Sequence, residues 1–502
     1  MNLFDTLTAA GAPAAPFLER PDGAVDSYAD LQAHTARFAH ALCALGVQPG
    51  DRVAVQVEKS PENLYLYLAT VRAGAVFLPL NTAYTLNELA YFIGDAGPAL
   101  VVCDPGAEAG VSELVEALGA RVVTLDASGK GSLADLAAAQ PATFPTVARA
   151  PGDLAAICYT SGTTGRSKGA MLTHANLASN AATLVDLWRF TVRDVLIHAL
   201  PIYHVHGLFV ATNITLMAGA SMIFRPRFDA ADVLSLLPRA SALMGVPTFY
   251  TRLLAQPDLT REAVVGMRLF ISGSAPLLAE THLDWSARTG TAILERYGMT
   301  ETGMNTSNPY DGDRVAGTVG FPLPDVALRI ADPETGAPLA PSEIGVIEVK
   351  GPNVFAGYWK MPDKTAAEFR PDGFFITGDL GKIDDRGYVH IVGRGKDLII
   401  AGGFNVYPKE VEEEIDALPG VVESAVIGLP HPDLGEGVTA VVATGGKPVM
   451  DEAAVIAALK DRLARFKQPK RVLFVDDLPR NAMGKVQKAL LRQQHAGLYT
   501  DG

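Results

Sequence analysis

Short apolar runs alternate with amphipathic stretches over most of this chain, and that alternation limits the folds it can adopt. The run at 52–57 reads as a strand, and Pro61 opens a helical stretch to residue 73, because proline fits the first turn of a helix. Strands that alternate with helices build mainly parallel sheets whose faces the helices cover. The sequence therefore predicts an α/β fold. Further strand candidates lie at 76–80, 99–103, 154–159, 195–199, 221–224, 242–246 and 268–272.

The pattern changes near residue 320. Closely spaced strand candidates with Gly and Pro turns between them then indicate a smaller β-rich subdomain. From about residue 396 a compact α+β pattern follows. We therefore predict a large N-terminal domain over 1–395 and a small C-terminal domain over 396–502. The strand candidates of these two regions are 326–330, 344–350, 388–392, 422–428 and 438–443, and the helix candidates are 408–417 and 451–466.

The composition excludes several classes of protein. Hydrophobic residues make up 48% and charged residues 19% of the 502, which suits packed cores rather than a disordered chain. The 42 Lys and Arg against 55 Asp and Glu give a net charge of −13, which disfavours general nucleic-acid binding. No apolar run approaches the ~20 residues that span a bilayer, and the N-terminal segment lacks the features of a signal peptide. Cys43, Cys103 and Cys158 are too far apart to indicate a disulfide framework or a cysteine-based zinc site. We expect a cytoplasmic protein with no nucleic-acid or membrane partner.

The segment at 159–169, with the sequence YTSGTTGRSKG, carries the most information about function. It follows an apolar strand candidate and precedes a helical stretch near Asn176, so we expect a strand, a loop and a helix in that order. Its glycines allow the backbone to curl around an oxyanion, and Lys168 adds a positive charge. It is not the common P-loop pattern, because no glycine immediately precedes Lys168. A flexible Ser/Thr/Gly loop is the alternative for a segment of this composition.

The segment resembles the phosphate loop of the adenylate-forming superfamily, which comprises the acyl-CoA synthetases and their relatives. Further motifs follow in the order that this family requires, and the resemblance covers essentially the whole chain. It implies that a carboxylate attacks the α-phosphate of ATP, and that the thiol of CoA then displaces AMP from the acyl-adenylate. It also implies ATP and Mg²⁺ as cofactors, CoA as co-substrate and a mobile C-terminal domain. The motifs are YGMTE at 297–301, TGD at 377–379, GRGKD at 393–397 and PRNAMGK at 479–485.

The resemblance assigns roles around ATP. It implies that Glu301 binds Mg²⁺, since an acidic oxygen suits a hard cation. Thr300 would contact the α-phosphate, and Tyr297 would lie against the adenine. In a turn, The residues implied to hold the β- and γ-phosphates are Thr160, Ser161, Gly162, Thr163, Thr164, Gly165 and Lys168, and those beside the adenine edge include Ser274 and Ala275.

Three further residues belong to the second half of the implied cycle or to the step between the halves. Lys485 would neutralise the charge that grows on the α-phosphate and the carboxylate. Lys396 occupies the hinge position of the family, and Gly403 matches the glycine that lets the pantetheine arm approach the backbone. The segment around Lys485 also resembles the loop that protein acetyltransferases modify in related synthetases, so acetylation of Lys485 is expected to stop the enzyme.

The acyl pocket separates members of the superfamily from one another. The segments at 201–207, 245–252, 272–276, 295–298 and 304–307 resemble those of bacterial malonyl-CoA synthetases. A second carboxylate buried without a counter-ion costs several kcal/mol, so a dicarboxylate pocket needs a cation, and the fork of an arginine suits it. The resemblance implies that Arg252 pairs with the distal carboxylate of malonate. It further assigns His206, Ser274 and Arg296 as helpers and Met304 as a limit on any 2-substituent.

Two positions beside this pocket depart from the resemblance. Val205 and Gly303 stand where close relatives carry Thr and Asn, which leaves the tolerance for methylmalonate and bulkier malonates open. A ligase for methylmalonate, acetate or oxalate is the nearest alternative, although Arg252 argues against acetate. More distant alternatives are a carrier-linked amino-acid adenylation domain, a luciferase-like monooxygenase and a catalytically silent nucleotide-binding protein. Retention of both Glu301 and Lys485 argues against the silent protein.

Overall fold

The computed structural model describes residues 2–160, 167–274, 277, 279–394, 399–406, 408–445, 450–479 and 486–499. The strands are β1 Pro16–Glu19, β2 Val25–Ser27, β3 Arg52–Gln56, β4 Val76–Pro79, β5 Leu100–Cys103, β6 Arg121–Thr124, β7 Leu154–Thr160, β8 Lys168–Thr173, β9 Val195–His198, β10 Ser221–Phe224, β11 Ala242–Gly245, β12 Leu269–Ser272, β13 Leu294–Met299, β14 Gly303–Ser307, β15 Phe321–Pro322, β16 Ala327–Ala331, β17 Gly345–Lys350, β18 Phe375–Ile383, β19 Val389–Arg394, β20 Ile399–Ala401, β21 Phe404–Val406, β22 Glu423–His431, β23 Gly435–Ala443 and β24 Arg471–Val475.

The α-helices lie between these strands for most of the chain. They are α1 Leu3–Thr8, α2 Tyr28–Ala44, α3 Pro61–Arg72, α4 Leu86–Ala96, α5 Glu108–Val115, α6 Ser132–Ala138, α7 His174–Leu187, α8 Asn213–Met217, α9 Ala230–Leu236, α10 Pro247–Leu254, α11 Ala279–Thr289, α12 Pro362–Ala367, α13 Pro408–Asp416, α14 Glu452–Leu459 and α15 Lys488–Gln494. A π-helix spans His206–Thr212.

The chain divides into two compact units. The first comprises residues 1–82, 93–158 and 169–393, and the second comprises 83–92, 159–168 and 394–502. The first unit contains a large hydrophobic core with the fully buried indoles of Trp188 and Trp285. The second unit has its own core clusters, whose members include Val411 and Leu491.

Two mainly parallel sheets form the centre of the first unit. One has the order β6-β5-β3-β4-β7-β8, and the other has the order β15-β14-β13-β12-β11-β9-β10-β1-β2. In the larger sheet the run from β1 to β13 is parallel, whereas β2, β14 and β15 are antiparallel additions at its ends. The predicted α/β fold with mainly parallel sheets is confirmed.

The β-rich region follows these sheets. Strands β16 to β19 form a four-stranded sheet, in which β16, β17 and β18 pair antiparallel. In the second unit, β20 to β24 form a five-stranded sheet with α13, α14 and α15 in the same part of the chain. The β22–β23 pair is antiparallel over nine residues of each strand, and β24 joins β23 in parallel.

Local signals explain where several helices begin. Ser60 accepts a hydrogen bond from the backbone of Asn63 and Pro61 stands in the first turn, so α3 starts where the sequence predicts. Pro247 likewise opens α10. Helix α14 ends at Leu459, whereas the sequence predicts a helix to residue 466. The chain leaves the helix there, and Lys467 turns inward to form buried ion pairs.

The order of elements after the phosphate segment also differs from the sequence prediction. A strand, β8, stands between that segment and α7, so the predicted strand–loop–helix order was wrong. The backbone N–H of Met171 donates to Gly357 at 3.0 Å, and that of Trp359 donates to Gly169 at 2.8 Å. These partners satisfy an extended backbone, and a strand therefore forms where the sequence pattern alone showed a loop.

None of the helices in the described part of the chain is both long and apolar enough to cross a bilayer.

Candidate active site

Three neighbouring parallel strands of the larger sheet end at the same edge. The segment after β9 carries the π-helix with His206, α10 follows β11, and β12 leads into Gly273 and Ser274. The loops at the carboxyl ends of parallel strands are where α/β sheets bind ligands. The topology thus accounts for why side chains from distant parts of the sequence meet here.

The antiparallel hairpin β13–β14 carries most of the predicted residues of the first unit. Arg296 and Tyr297 lie on β13, Thr300 and Glu301 lie in the turn, and Met304 lies on β14. Its turn has three residues and is followed by Gly303, whose φ of 58° is left-handed, as three-residue hairpins require. The single motif at 297–301 is therefore a strand end and its turn.

Arg296 is a buried cation without a carboxylate partner among the described residues. Its side chain is 4% exposed, and its Nε and Nη2 atoms have no hydrogen-bond partner. Burial lowers the pKa of the Arg296 guanidinium to about 9, so the group keeps its charge at neutral pH. A β-carbon built on Gly273 would lie 2.3 Å from Arg296 Cζ, so the guanidinium rests directly on the backbone of Gly273. A buried charge left unpaired is costly, and an anionic ligand would offset that cost.

His206 and Ser274 accompany this cation. Ser274 Oγ lies 3.2 Å from His206 Nδ1, while His206 Nε2 is buried and has no partner. Burial, followed by the charge of Arg296, lowers the pKa of His206 well below its ordinary value, so the ring is neutral at pH 7. Ser274 has a left-handed φ of 70°, a conformation that non-glycine residues adopt rarely and often at functional sites. The structure thus brings together Arg296, His206 and Ser274.

Arg252 lies in a different environment. It stands in the last turn of α10, and its side chain is exposed. The sequence argument expected this arginine to be the cation of a buried pocket, whereas the buried guanidinium of the described chain is that of Arg296.

Tyr297 and Asp379 form a direct contact. The Tyr297 hydroxyl donates to Asp379 Oδ2 at 2.5 Å, and both side chains are buried. Asp379 was expected in a turn, but it lies inside the nine-residue strand β18. The left-handed φ of 75° at Gly378 directly before it accommodates the irregular register between β17 and β18.

Glu301 is a buried carboxylate beside a shared hydroxyl. The Tyr358 hydroxyl lies 3.1 Å from Glu301 Oε1 and 2.6 Å from Glu368 Oε2. A phenol has one proton, so it donates to one carboxylate at a time. Burial raises the pKa of Tyr358 above its ordinary value, and Glu301 and Glu368 raise it further. Two carboxylates that converge in this way form an oxygen-rich environment that suits a hard cation.

Met304 is buried and fixed by its backbone. Its N–H donates to Asn180 Oδ1, and its carbonyl accepts from Asn180 Nδ2, both at 3.0 Å. Gly303, Val205, Asn180 and Thr300 line one small cavity with room for about one water molecule. The two positions that depart from the resemblance, Val205 and Gly303, therefore border the same space.

The residues predicted around the phosphates and in the C-terminal domain are described in part. Thr160 ends β7, and Lys168 is buried at the start of β8. Gly403 forms the turn between β20 and β21. Arg394 ends β19. The residues that lie outside the described part are Ser161, Gly162, Thr163, Thr164, Gly165, Ala275, Lys396 and Lys485.

Sequence reasoning missed several residues around Arg296. The hydroxyl of Ser272 is buried without a partner, and the charge of Arg296 acts on both His204 and Tyr250. Burial lowers the pKa of His204 to about 4, and Arg296 lowers it further. No local motif marks these residues, because they meet only through the sheet. The signal that was available is their position just after strand candidates.

Comparisons with known proteins agree on the family. The model of the AMP-binding enzymes matches residues 7–359, and that of the AMP-binding enzyme C-terminal domain matches 410–485. The chain is 64% identical to ATP-bound MatB of Rhodopseudomonas palustris, with both chains covered in full and a TM-score of 0.79. It is 38% identical to a malonyl-CoA ligase in a ternary product complex with methylmalonyl-CoA and AMP, over 95% of this chain and 100% of that one, with a TM-score of 0.83. A feruloyl-CoA synthase of an Amycolatopsis species is 37% identical over 95% of both chains.

These matches span nearly the whole chain, and they contain both the large and the small domain of the family. The family that the sequence motifs indicated is confirmed, as is its ATP-dependent ligase chemistry with CoA. The chain belongs to the adenylate-forming acyl-CoA ligases, the family of AMP-binding enzymes.

Proposed function

We propose that this enzyme joins malonate to CoA, with ATP converted to AMP and pyrophosphate through a malonyl-adenylate. The observation that carries the proposal is the buried, unpaired guanidinium of Arg296 beside His206 and Ser274. An aryl or fatty acid needs only an apolar lining, and a buried cation would be a cost for it. A dicarboxylate gains from the same cation, because its second carboxylate needs a partner away from water.

The geometry suits recognition of one carboxylate by several donors. Arg296 offers Nε and Nη2, which are the two N–H groups on one side of the fork, and a carboxylate can accept from both. His206 adds Nε2, which is buried and unpartnered. The likeness to the malonyl-CoA ligase with bound methylmalonyl-CoA agrees with this chemistry. Methylmalonate is the alternative substrate, since Val205 and Gly303 border a small cavity near Thr300.

For the first half-reaction we assign the nucleotide to the residues of the family motifs. One carboxylate oxygen of malonate attacks the α-phosphorus of ATP, and pyrophosphate leaves. Tyr297 and Asp379, joined by their hydrogen bond, would face the adenosine. Glu301, whose carboxylate shares the Tyr358 hydroxyl with Glu368, would hold Mg²⁺, which would offset the charge of the phosphates. Thr300 would contact the α-phosphate.

For the second half-reaction the assignments follow from the resemblance. The thiol sulfur of CoA attacks the acyl carbon, and AMP leaves. We propose that the domain 396–502 turns about Lys396 between the halves, that Lys485 serves the first half, and that Gly403 admits the pantetheine arm. Acetylation of Lys485 by a protein acetyltransferase remains a proposal of the same kind. Its test is the adenylating activity of protein acetylated at that lysine.

The experiment is a pyrophosphate-release assay across a panel of acids, with and without CoA. The panel contains malonate, methylmalonate, sulfoacetate, propionate and ferulate. We expect malonate or methylmalonate to exceed propionate and ferulate by at least about 10²-fold in kcat/KM, as a buried ion pair would give. The nucleotide product should be AMP. ADP and phosphate as products, or a preference for ferulate, would contradict the proposal.

A further inference from the structure

A buried lysine and a buried histidine contact the π-helix that carries His206. Lys59 is 8% exposed and follows β3. Its Nζ lies 3.0 Å from His198 Nδ1 and 2.8 Å from the His198 carbonyl oxygen, and it stands over the Phe224 ring at 4.3 Å. No carboxylate pairs with Lys59 among the residues that the structure describes. Burial lowers the pKa of Lys59 well below its ordinary value.

The contacts of His198 fix its tautomer. His198 Nε2 lies 2.9 Å from the carbonyl oxygen of Gly207, which can only accept a hydrogen bond. The ring proton therefore sits on Nε2, and Nδ1 accepts from Lys59. The Thr212 hydroxyl lies 3.2 Å from the same ring nitrogen and donates to the same Gly207 carbonyl at 3.0 Å. Burial, followed by Lys59, lowers the pKa of His198, so the ring stays neutral at pH 7.

The Gly207 carbonyl belongs to the second residue of the π-helix, directly after His206. A β-carbon on Gly207 would lie 2.0 Å from the Pro201 carbonyl oxygen, so the backbone passes here without room for adjustment. Single turns of π-helix are rare and occur frequently at functional sites. Any shift of the Gly207 peptide would therefore move the His206 imidazole away from Ser274.

We propose that His198 is a positioning residue for the acid site. Its Nε2–H holds the Gly207 carbonyl and thereby aims His206 at the distal carboxylate, while Lys59 keeps His198 in the required tautomer. This inference rests on the malonate assignment made above. It predicts an effect on dicarboxylates that monocarboxylates do not share, because propionate has no distal group for His206 to meet.

The test compares His198→Gln with His198→Leu in the full-length enzyme. A glutamine amide can still donate to Gly207, whereas leucine has a similar volume and cannot. We expect His198→Leu to raise KM for malonate by about tenfold, as the loss of one buried hydrogen bond with some misplacement would give. KM for ATP should stay within about twofold, kcat/KM for propionate should change by less than about threefold, and His198→Gln should recover most of the loss.

The matched control is His174→Leu, since His174 is also buried and its Nδ1 accepts from the backbone of Leu3 at 3.0 Å. It should lower the melting temperature without altering the ratio of malonate to propionate activity. Should His198→Leu not fold, Thr212→Val removes the second donor to the same carbonyl and should shift the ratio in the same direction. Equal losses for both acids in these variants, or no recovery in His198→Gln, would overturn the inference. A wild-type enzyme without preference for malonate would instead overturn the proposed function.

Discussion

At the scale of single residues, the chemistry of the acid site depends on which arginine lies away from water. A charge pair in contact with solvent contributes about 0–1 kcal/mol, whereas removal of one partner of a buried pair costs about 3–5 kcal/mol. Arg296 is buried and Arg252 is exposed. The sequence alone placed the larger role on Arg252, because burial cannot be read from the spacing of Arg252 after Pro247.

We therefore expect Arg296→Met to lower kcat/KM for malonate by about 10²–10³-fold, with little change for propionate. Arg252→Ala should lower it by less than about tenfold, since an exposed pair contributes little. Steady-state kinetics with both acids measures the two variants, and an unchanged KM for ATP serves as the control for folding. A larger malonate-specific loss in Arg252→Ala would return the distal carboxylate to Arg252.

Gly273 offers a second test that leaves the charge in place. A methyl group at this position would lie 2.3 Å from Arg296 Cζ, so Gly273→Ala must displace the guanidinium. We expect the loss of malonate activity to exceed that of propionate activity by about tenfold or more, because the cation would no longer be aimed at the ligand. Gly266→Ala is the matched control, since its β-carbon would meet backbone atoms only at 3.6 Å and beyond. Equal losses for both acids in Gly273→Ala would indicate damage to the sheet instead.

At the scale of elements, the β13–β14 hairpin shows what the sequence can and cannot predict. The motif at 297–301 identified Tyr297, Thr300 and Glu301, and the strand candidates around it gave the parallel order of the sheet. The sequence did not indicate that β14 pairs antiparallel with β13 and so places Met304 beside Gly298. Pairing between strands depends on turn geometry and on the packed neighbour, neither of which a local pattern contains.

The β20–β21 hairpin in the second unit supports a prediction for the CoA step. Its two turn residues, Gly402 and Gly403, have left-handed φ values of 60° and 82°, as a two-residue hairpin turn requires. Alanine strains the backbone equally at both positions, so each variant should lose about 1 kcal/mol of stability. Only Gly403→Ala should slow CoA-dependent release of AMP, by about tenfold or more if its methyl group blocks the thiol arm. Pyrophosphate release without CoA should be unchanged in both, and an equal effect of the two variants would remove the special role of Gly403.

At the scale of the whole molecule, each compact unit has its own core, so the chain has the means to unfold in two steps. In the second unit the strongest buried charge cluster joins the segment 83–92 to the C-terminal residues. Lys467 is 2% exposed, and its Nζ lies 2.9 Å from Glu88 Oε1 and 2.6 Å from Glu410 Oε1. Burial alone would lower the pKa of Lys467, but Glu410, Tyr84 and Glu88 outweigh it and raise the pKa above its ordinary value.

Lys467→Met should therefore destabilise the second unit by about 3–5 kcal/mol, because two carboxylates would remain near each other without their cation. A raised lysine pKa means that the folded state binds its proton more tightly. The stabilisation is thus complete below the ordinary lysine pKa and is lost as the pH rises above it, and the difference between the variant and the wild type should be constant from pH 6 to 9. Calorimetry should show a fall in the transition of the second unit only. Lys470→Met is the matched control, because Lys470 is an exposed lysine three residues away and should change stability by no more than about 0.5 kcal/mol. If both transitions fall together in Lys467→Met, the chain unfolds as one cooperative body, and the cluster stabilises the molecule rather than its second unit.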